Sequence, residues 1–308
     1  MTTIKKFIRE SKATLVTIQE TKCTQSGQIH LDGYYTYELV RKSRDGGGVA
    51  LCALKELNPS FVCDGGEEVE AVTVDIHMQN KSVCVTSAYG PLENAPLVKK
   101  TAFWKYLSHQ AQRAKSSGKG FILQGDLNSW LGPRLLPGDT REQNANGKLF
   151  QKFLEENNLK CVNSLPLTKG IITRRRKYLE KTIESSIDFY VVCESVLPLI
   201  KSMEIIDHTN HNLTKYSLKS KAVSSDHAPL VMDVELKARP IIREKIEIPN
   251  FNDKTAQLKF KESTSDTTQF TECFKNMQPL LEQSQNWLST VEAHVKKHFR
   301  KLELGQER

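Results

Sequence analysis

"FILQGDLNSW", residues 121–130, is the stretch on which the fold turns. Phe121, Ile122 and Leu123 form a short apolar run suited to a buried strand, and within a few residues it gives way to Gly125, Asp126 and Asn128. Side chains alternate along a strand, so Asp126 and Asn128 are expected on one face while Leu127 points back. A carboxylate and an amide would then converge at the end of a core strand. Gly, Asp, Asn and Ser are also turn formers, and Asn128-Ser129 reads equally well as a plain bend after a strand. Partners elsewhere in the chain have to decide between turn and site.

Upstream, Phe103, Leu107, Ala111 and Ala114 share one face of a helix that leads into this strand. A second helix is expected at about 149–157, where Phe150, Phe153 and Leu154 line up. Nearer the start, Ile4, Phe7 and Ile8 recur at helical spacing before "TLVTIQE", a β-branched run that exits at Glu20. "GGGVALCAL" reads as a turn and strand, and no Lys-Ser/Thr follows the glycines to make a P-loop. "VEAVTVDIH" and "SVCVTSAYGP" read as antiparallel strands joined by the polar tip "MQNK". "SSIDFYVV" and "SSDHAPLVMDVEL" are two more β-rich runs, each with a polar cluster at one end.

The chain has 308 residues, 38% of them hydrophobic, enough for a real core in one large α/β domain or two smaller ones. No run approaches the roughly 18 apolar residues of a membrane span, and "MTTIKKFIRES" lacks the apolar segment of a signal peptide. Seven scattered cysteines form no CxxC pair, so neither a zinc site nor a disulfide framework is supported. A formal charge of +8 suits a polyanionic partner, but it is also an ordinary solvated surface. "TRRRK", Thr173 to Lys177, concentrates four cations in a stretch read as loop-like beside a strand, with a solvated charge run as the alternative. After about residue 236 sustained patterns fade. A last helix is expected where Leu288, Val291, Val295 and Leu302 share a side.

Five polar clusters therefore stand at strand ends: Glu20, Tyr89, Asp126 with Asn128, Asp188, and Asp226 with His227. Their order and residue types resemble the endonuclease/exonuclease/phosphatase superfamily, and most closely the apurinic-type endonuclease domain of non-LTR retrotransposons. "GGGVAL" and "ITRRR" ahead of "SSIDF" add to that likeness. The resemblance covers residues 1–236 and leaves 237–308 as a linker and helical tail. It implies an α/β fold, a four-layered sandwich of two face-to-face mixed β-sheets flanked by helices, with a C-terminal, mostly helical tail.

The resemblance also implies roles. Glu20 and Asp226 would hold a metal, Mg²⁺ with Mn²⁺ as the alternative, since hard carboxylate oxygens suit such ions. Asp126 would activate the attacking water, Asn128 and Tyr89 would contact the phosphate, and His227 would donate to it with Asp188 on its other ring nitrogen. Thr173 and Ser225, with Arg174, Arg175 and Arg176, would contact DNA. The implied activity is Mg²⁺-dependent nicking of DNA. A small-molecule phosphoesterase and a catalytically impaired DNA-binding remnant are the alternatives. A reverse transcriptase domain or element RNA would be a partner in a longer polyprotein, and no membrane is involved. An intracellular place, with access to the nucleus, is what such an activity needs, although "RRRK" is too short to act as an address. Relatives of this kind carry an Asn-bearing strand ahead of the first helix, so that strand is expected to be missing here, leaving an open sheet edge, a looser metal site and weak activity.

Overall fold

The computed structural model describes residues 2–41, 46–77, 82–178, 180–206 and 225–235, with short strands at 216–218, 221–223, 248–249 and 301–302. Contacts divide the chain into two units, Met1–Ile241 and Ile242–Arg308. The first unit opens with α1 (Thr2–Glu10), β1 (Leu15–Gln19), β2 (Tyr34–Leu39), β3 (Val49–Leu54), β4 (Pro59–Asp64), β5 (Ala71–Ile76) and β6 (Val83–Tyr89). It continues with α2 (Leu97–Ser116), β7 (Gly120–Asp126), α3 (Ala145–Glu156), β8 (Leu159–Cys161), β9 (Thr168–Lys169), β10 (Arg174–Tyr178) and β11 (Lys181–Ser185). It closes with β12 (Asp188–Cys193), β13 (Ile200–Ile205), β14 (Tyr216–Leu218), β15 (Lys221–Val223) and β16 (Leu230–Val234).

The central layer is a six-stranded mixed sheet in the order β4-β5-β6-β7-β12-β8. Alternation along β7 sends Phe121 and Leu123 to one face and Ile122 to the other, so the strand is buried on both sides. On the first face lie α2 and α3, whose Phe103, Trp104, Leu107, Phe150 and Phe153 pack against Phe121, Leu123 and Phe189. On the second face lie two three-stranded sheets, β2-β3-β1 and β9-β13-β16, which bring Leu51, Ala53, Met203 and Ile205 onto Val72, Val85, Ile122 and Val192. Beyond the first of these sheets, Ile8 of α1 packs with Ala50 and Cys52, the outward-facing residues of β3. Helices, sheet, sheet and helix make the four expected layers.

Several local expectations change. The third helix starts at Ala145, not near 149, because Asn144 caps it by accepting from the Gly147 amide. Residues 174–178 are a strand, β10, hydrogen-bonded to β11 in a two-stranded ribbon, where the arginine run was read as loop-like. The "MQNK" tip lies outside the described residues, as do Leu288, Val291 and Val295 of the expected last helix. Leu302 belongs to a two-residue strand paired with Ile248–Pro249 in the second unit.

The divided outer layer sets the shape of everything near the site. β1 packs over β6 and β7, while Leu230 of β16 meets Tyr190 of β12, so the edges of β1 and β16 that pair with no other described strand face one another across β7 and β12. All five residues of β1 are only half-buried, whereas β6 beneath it is buried throughout.

Candidate active site

Strand pairing builds the site before any side chain is considered. Asp126, the last residue of β7, sits opposite Tyr89 at the end of β6 and opposite Asp188 at the start of β12. Three of the sequence-selected residues thus form one row at one edge of the central sheet. Short hydrogen bonds fix the fourth: Ala228 N donates to Thr173 O and Arg175 N to Asp226 O, while Arg174 and His227 pair as an isolated bridge. His227 is thereby laid beside the row, with Nδ1 3.0 Å from Asp188 and Nε2 3.9 Å from Asp126.

Asn128 reaches the site by a different route from strand alternation. The strand ends at Asp126, and Asn128 turns into the left-handed region at φ +47°. Its amide donates to Asp126 Oδ1 at 3.0 Å and its side-chain Nδ2 to Gly90 O at 2.9 Å. This is an Asx turn, as the turn reading expects, and it leaves Asn128 beside Asp126. Gly90 has to be glycine there, because a Cβ would overlap the Leu127 carbonyl.

Glu20 lies just past β1 with φ +49°, a conformation that residues other than Gly and Asn seldom adopt. Tyr89, buried, donates its hydroxyl to Glu20 Oε1 at 2.5 Å. Burial and that carboxylate together push the Tyr89 hydroxyl pKa far up, so it stays protonated as a donor. Asp226 is half-exposed and accepts from Arg174 Nε at 2.8 Å. Ser225 is exposed and clips the turn by accepting from the His227 amide. Thr173 is corrected from a DNA contact: it is wholly buried, and its Oγ1 accepts the amides of Ile187 and Asp188. It positions Asp188. The arginines also divide, for Arg174 and Arg176 line one pocket while Arg175 turns to Glu184 at 2.8 Å.

The charges are strongly coupled. Burial, then Asp188, pushes the Asp126 carboxyl well above the usual carboxylate range, against the pull of His227 and the Asn128 amide. Burial would lower the His227 pKa, but Asp188, Asp126 and Asp226 outweigh it and raise it to about 9. Both groups hold protons more tightly in the folded state than in the unfolded one. The stability they contribute is therefore fully present at low pH and lost as pH rises, for His227 between 6.5 and about 9. Without divalent cations, a fall of roughly 2 kcal/mol in unfolding free energy from pH 6.5 to 9.5 is expected from His227. Denaturant melts of the native chain and His227→Gln check this; an equally steep decline in the variant would refute it.

Asp126, Asp188 and His227 each offer a ligand atom within 4.8 Å of the others. With Nδ1 engaged by Asp188 at 3.0 Å, His227 has Nε2 left to face a ligand, so the trio suits a cation as well as an acid–base array. The oxygens of Glu20 and Asp226 also suit a hard cation, on the two sides of the gap and both partly open to solvent. Glu20 Oε1 meets the Tyr89 hydroxyl and Asp226 Oδ1 lies 3.9 Å from His227 Nε2, so both carboxylates border the row, and hard oxygen donors of this kind fit such an ion.

No pattern in the sequence singles out Asn146. It is fully buried in the first turn of α3, accepts from Trp104 Nε1 at 2.7 Å and donates to the carbonyls of Leu127 at 2.8 Å and Asn128 at 3.2 Å. Within "REQNANGK" it reads as one more loop residue. Among the described residues no helix is long and apolar enough to cross a membrane.

A family model described as "Endonuclease/Exonuclease/phosphatase family" matches residues 1–180. The endonuclease domain of TRAS1, a telomere-specific non-LTR retrotransposon, is similar in structure with TM-score 0.53 and 18% identity, covering 76% of this chain and 92% of that domain. The AP endonuclease LMAP from Leishmania major is similar with TM-score 0.60 and 13% identity, covering 78% and 82%. In sequence, craniofacial development protein 2 of Bos taurus is 24% identical over 167 residues, 53% of this chain. The chain spans only 28% of that relative's length.

Proposed function

The chain belongs to the endonuclease/exonuclease/phosphatase family, and from that premise we propose that it hydrolyses phosphodiesters with the help of a divalent metal, nicking DNA as the endonuclease of a non-LTR retroelement. The observation that carries the reading is the row Tyr89, Asp126, Asp188 with His227 laid across it. Once ionised, Asp126 is the carboxylate placed to accept a proton from the attacking water, and its raised proton affinity makes it a stronger base than an ordinary carboxylate. His227, charged through Asp188, donates from Nε2 to a phosphate oxygen, and Tyr89 directs its hydroxyl at the same edge. Asn128, fixed by Gly90, lines the approach.

A divalent cation held by Glu20 and Asp226, Mg²⁺ or Mn²⁺, would supply neutralisation of phosphate charge. Arg174 and Arg176, alternating on β10 toward the pocket, favour a nucleic-acid backbone over a small phosphate. A reverse transcriptase domain or element RNA would be the partner in a longer polyprotein, a reading supported by likeness to the TRAS1 domain.

The test is conversion of supercoiled plasmid to open circles with Mg²⁺, with Mn²⁺ and with EDTA, followed by primer extension from the nick. Metal-dependent nicks bearing extendable 3′-hydroxyls are expected. DNA binding with no nicking under any metal would replace the reading by a non-catalytic DNA-binding one, and hydrolysis confined to small phosphodiesters by a phosphoesterase.

A further inference from the structure

The metal-facing carboxylate Asp226 already has a cation beside it. Arg174 Nε lies 2.8 Å from Asp226 Oδ2, and the backbone makes that placement firm. Residues 173–175 and 226–228 are laced together by the Ala228–Thr173 and Arg175–Asp226 hydrogen bonds, so Arg174 cannot drift along its neighbour. Asp126 and Asp188 also act on the guanidinium. On its other side Arg174 borders a pocket of about 250 Å³ that it shares with Asn128, Trp130, Arg141 and Arg176. Arg141 stacks on the Trp130 ring at 4.4 Å, and among the described residues Glu93 is the one carboxylate lining this space. The guanidinium thus stands on the border between an acidic site and a basic pocket.

We infer that Arg174 is an exchangeable counter-ion: it neutralises Asp226 in the resting site and passes to a backbone phosphate entering the Trp130–Arg141 pocket, freeing Asp226 for the divalent cation. This rests on the phosphodiester-hydrolase reading and gives Arg174 a positioning role within it. Three carboxylates, Asp126, Asp188 and Asp226, share the edge with His227, so an acidic site without metal needs a second cation. A metal ion and a guanidinium compete for the same Asp226 oxygens, whereas phosphate and Asp226 compete for the same guanidinium. Substrate and metal should then promote one another's binding by equal factors. The planar fork suits both partners, being able to meet a carboxylate or a phosphate with paired donors.

Mn²⁺ titration of the full chain without DNA, followed by electron paramagnetic resonance, tests the exchange. Arg174→Gln is expected to tighten Mn²⁺ binding roughly two- to fivefold, the scale of one half-exposed ion pair, and to lose that gain when combined with Asp226→Asn. Its binding of a duplex in EDTA should weaken, with the slope of log K against log salt reduced by about 0.9. Unchanged or weaker Mn²⁺ affinity in Arg174→Gln, with a matched circular dichroism spectrum, overturns the proposal. If that variant does not fold, the native chain decides: a phosphorothioate duplex should tighten Mn²⁺ binding, and independence of the two overturns it. Plasmid nicking by the native chain is scored separately. Absent nicking with tightened Mn²⁺ binding rejects the hydrolase reading alone, and nicking with unchanged Mn²⁺ binding rejects the exchange alone.

Discussion

Asp126→Asn and His227→Ala are each expected to lower metal-dependent nicking by ~10²–10³-fold, the usual cost of one group that acts on developing charge. The two losses have different physical origins. Asp126→Asn removes the one oxygen acceptor that β7 holds rigidly at the site edge, between Tyr89 and Asp188 in register. His227→Ala removes the donor and leaves Asp188 without its partner at 3.0 Å. Stability separates them further. The charged Asp126 is disfavoured by burial and by Asp188, so Asp126→Asn is expected to melt at or above the native temperature. Plasmid nicking and thermal melts check both. Nicking within threefold of native by either variant, at about equal protein concentration, would take that residue out of the chemistry.

The second large effect falls on a residue that touches no substrate. Asn146→Leu is expected to cost roughly 2–3 kcal/mol, because a buried indole N–H loses its acceptor and the Asn128 carbonyl loses this donor, while the Leu127 carbonyl keeps the Ser129 hydroxyl. Both carbonyls lie in the turn that carries Asn128, so the same change releases it. Nicking should therefore fall even at temperatures where the variant remains folded. Urea melts give the stability change; a loss below about 1 kcal/mol would mean that water substitutes for the amide and the turn needs no clamp.

How much of this was legible beforehand depends on what each signal reports. The strand ends were readable because alternation and β-branched runs identify β7 and β12, and register then brings Asp126 and Asp188 together. The Asp188–His227 pair followed from family likeness, since no periodicity links positions 39 residues apart. Asn128 was selected for the wrong local reason: alternation stops at Asp126, and a left-handed turn carries the amide onward. β10 was hidden because three arginines carry no apolar alternation, and their side chains divide between pocket and Glu184 only once β11 is present. Thr173 looked like a surface contact because burial of a hydroxyl depends on the Ile187 and Asp188 amides it serves, which lie 14 and 15 residues away. Asn146 gave no local sign at all, its partners being on α2 and the loop after β7.

Glu20 and Asp226 sit on opposite banks of the gap in the outer layer, one at the exit of β1 and the other on the approach to β16. Their separation is therefore no property of either half-sheet. It is set by how far apart two rafts of strands float on the sheet beneath them, joined among the described strands by no direct ladder of hydrogen bonds. Any strand that zips the rafts together would act like a vernier on the oxygens of Glu20 and Asp226, setting their spacing. Catalytic competence and mechanical closure of the layer would then be one variable, which a distance measurement between spin labels flanking the gap could follow directly.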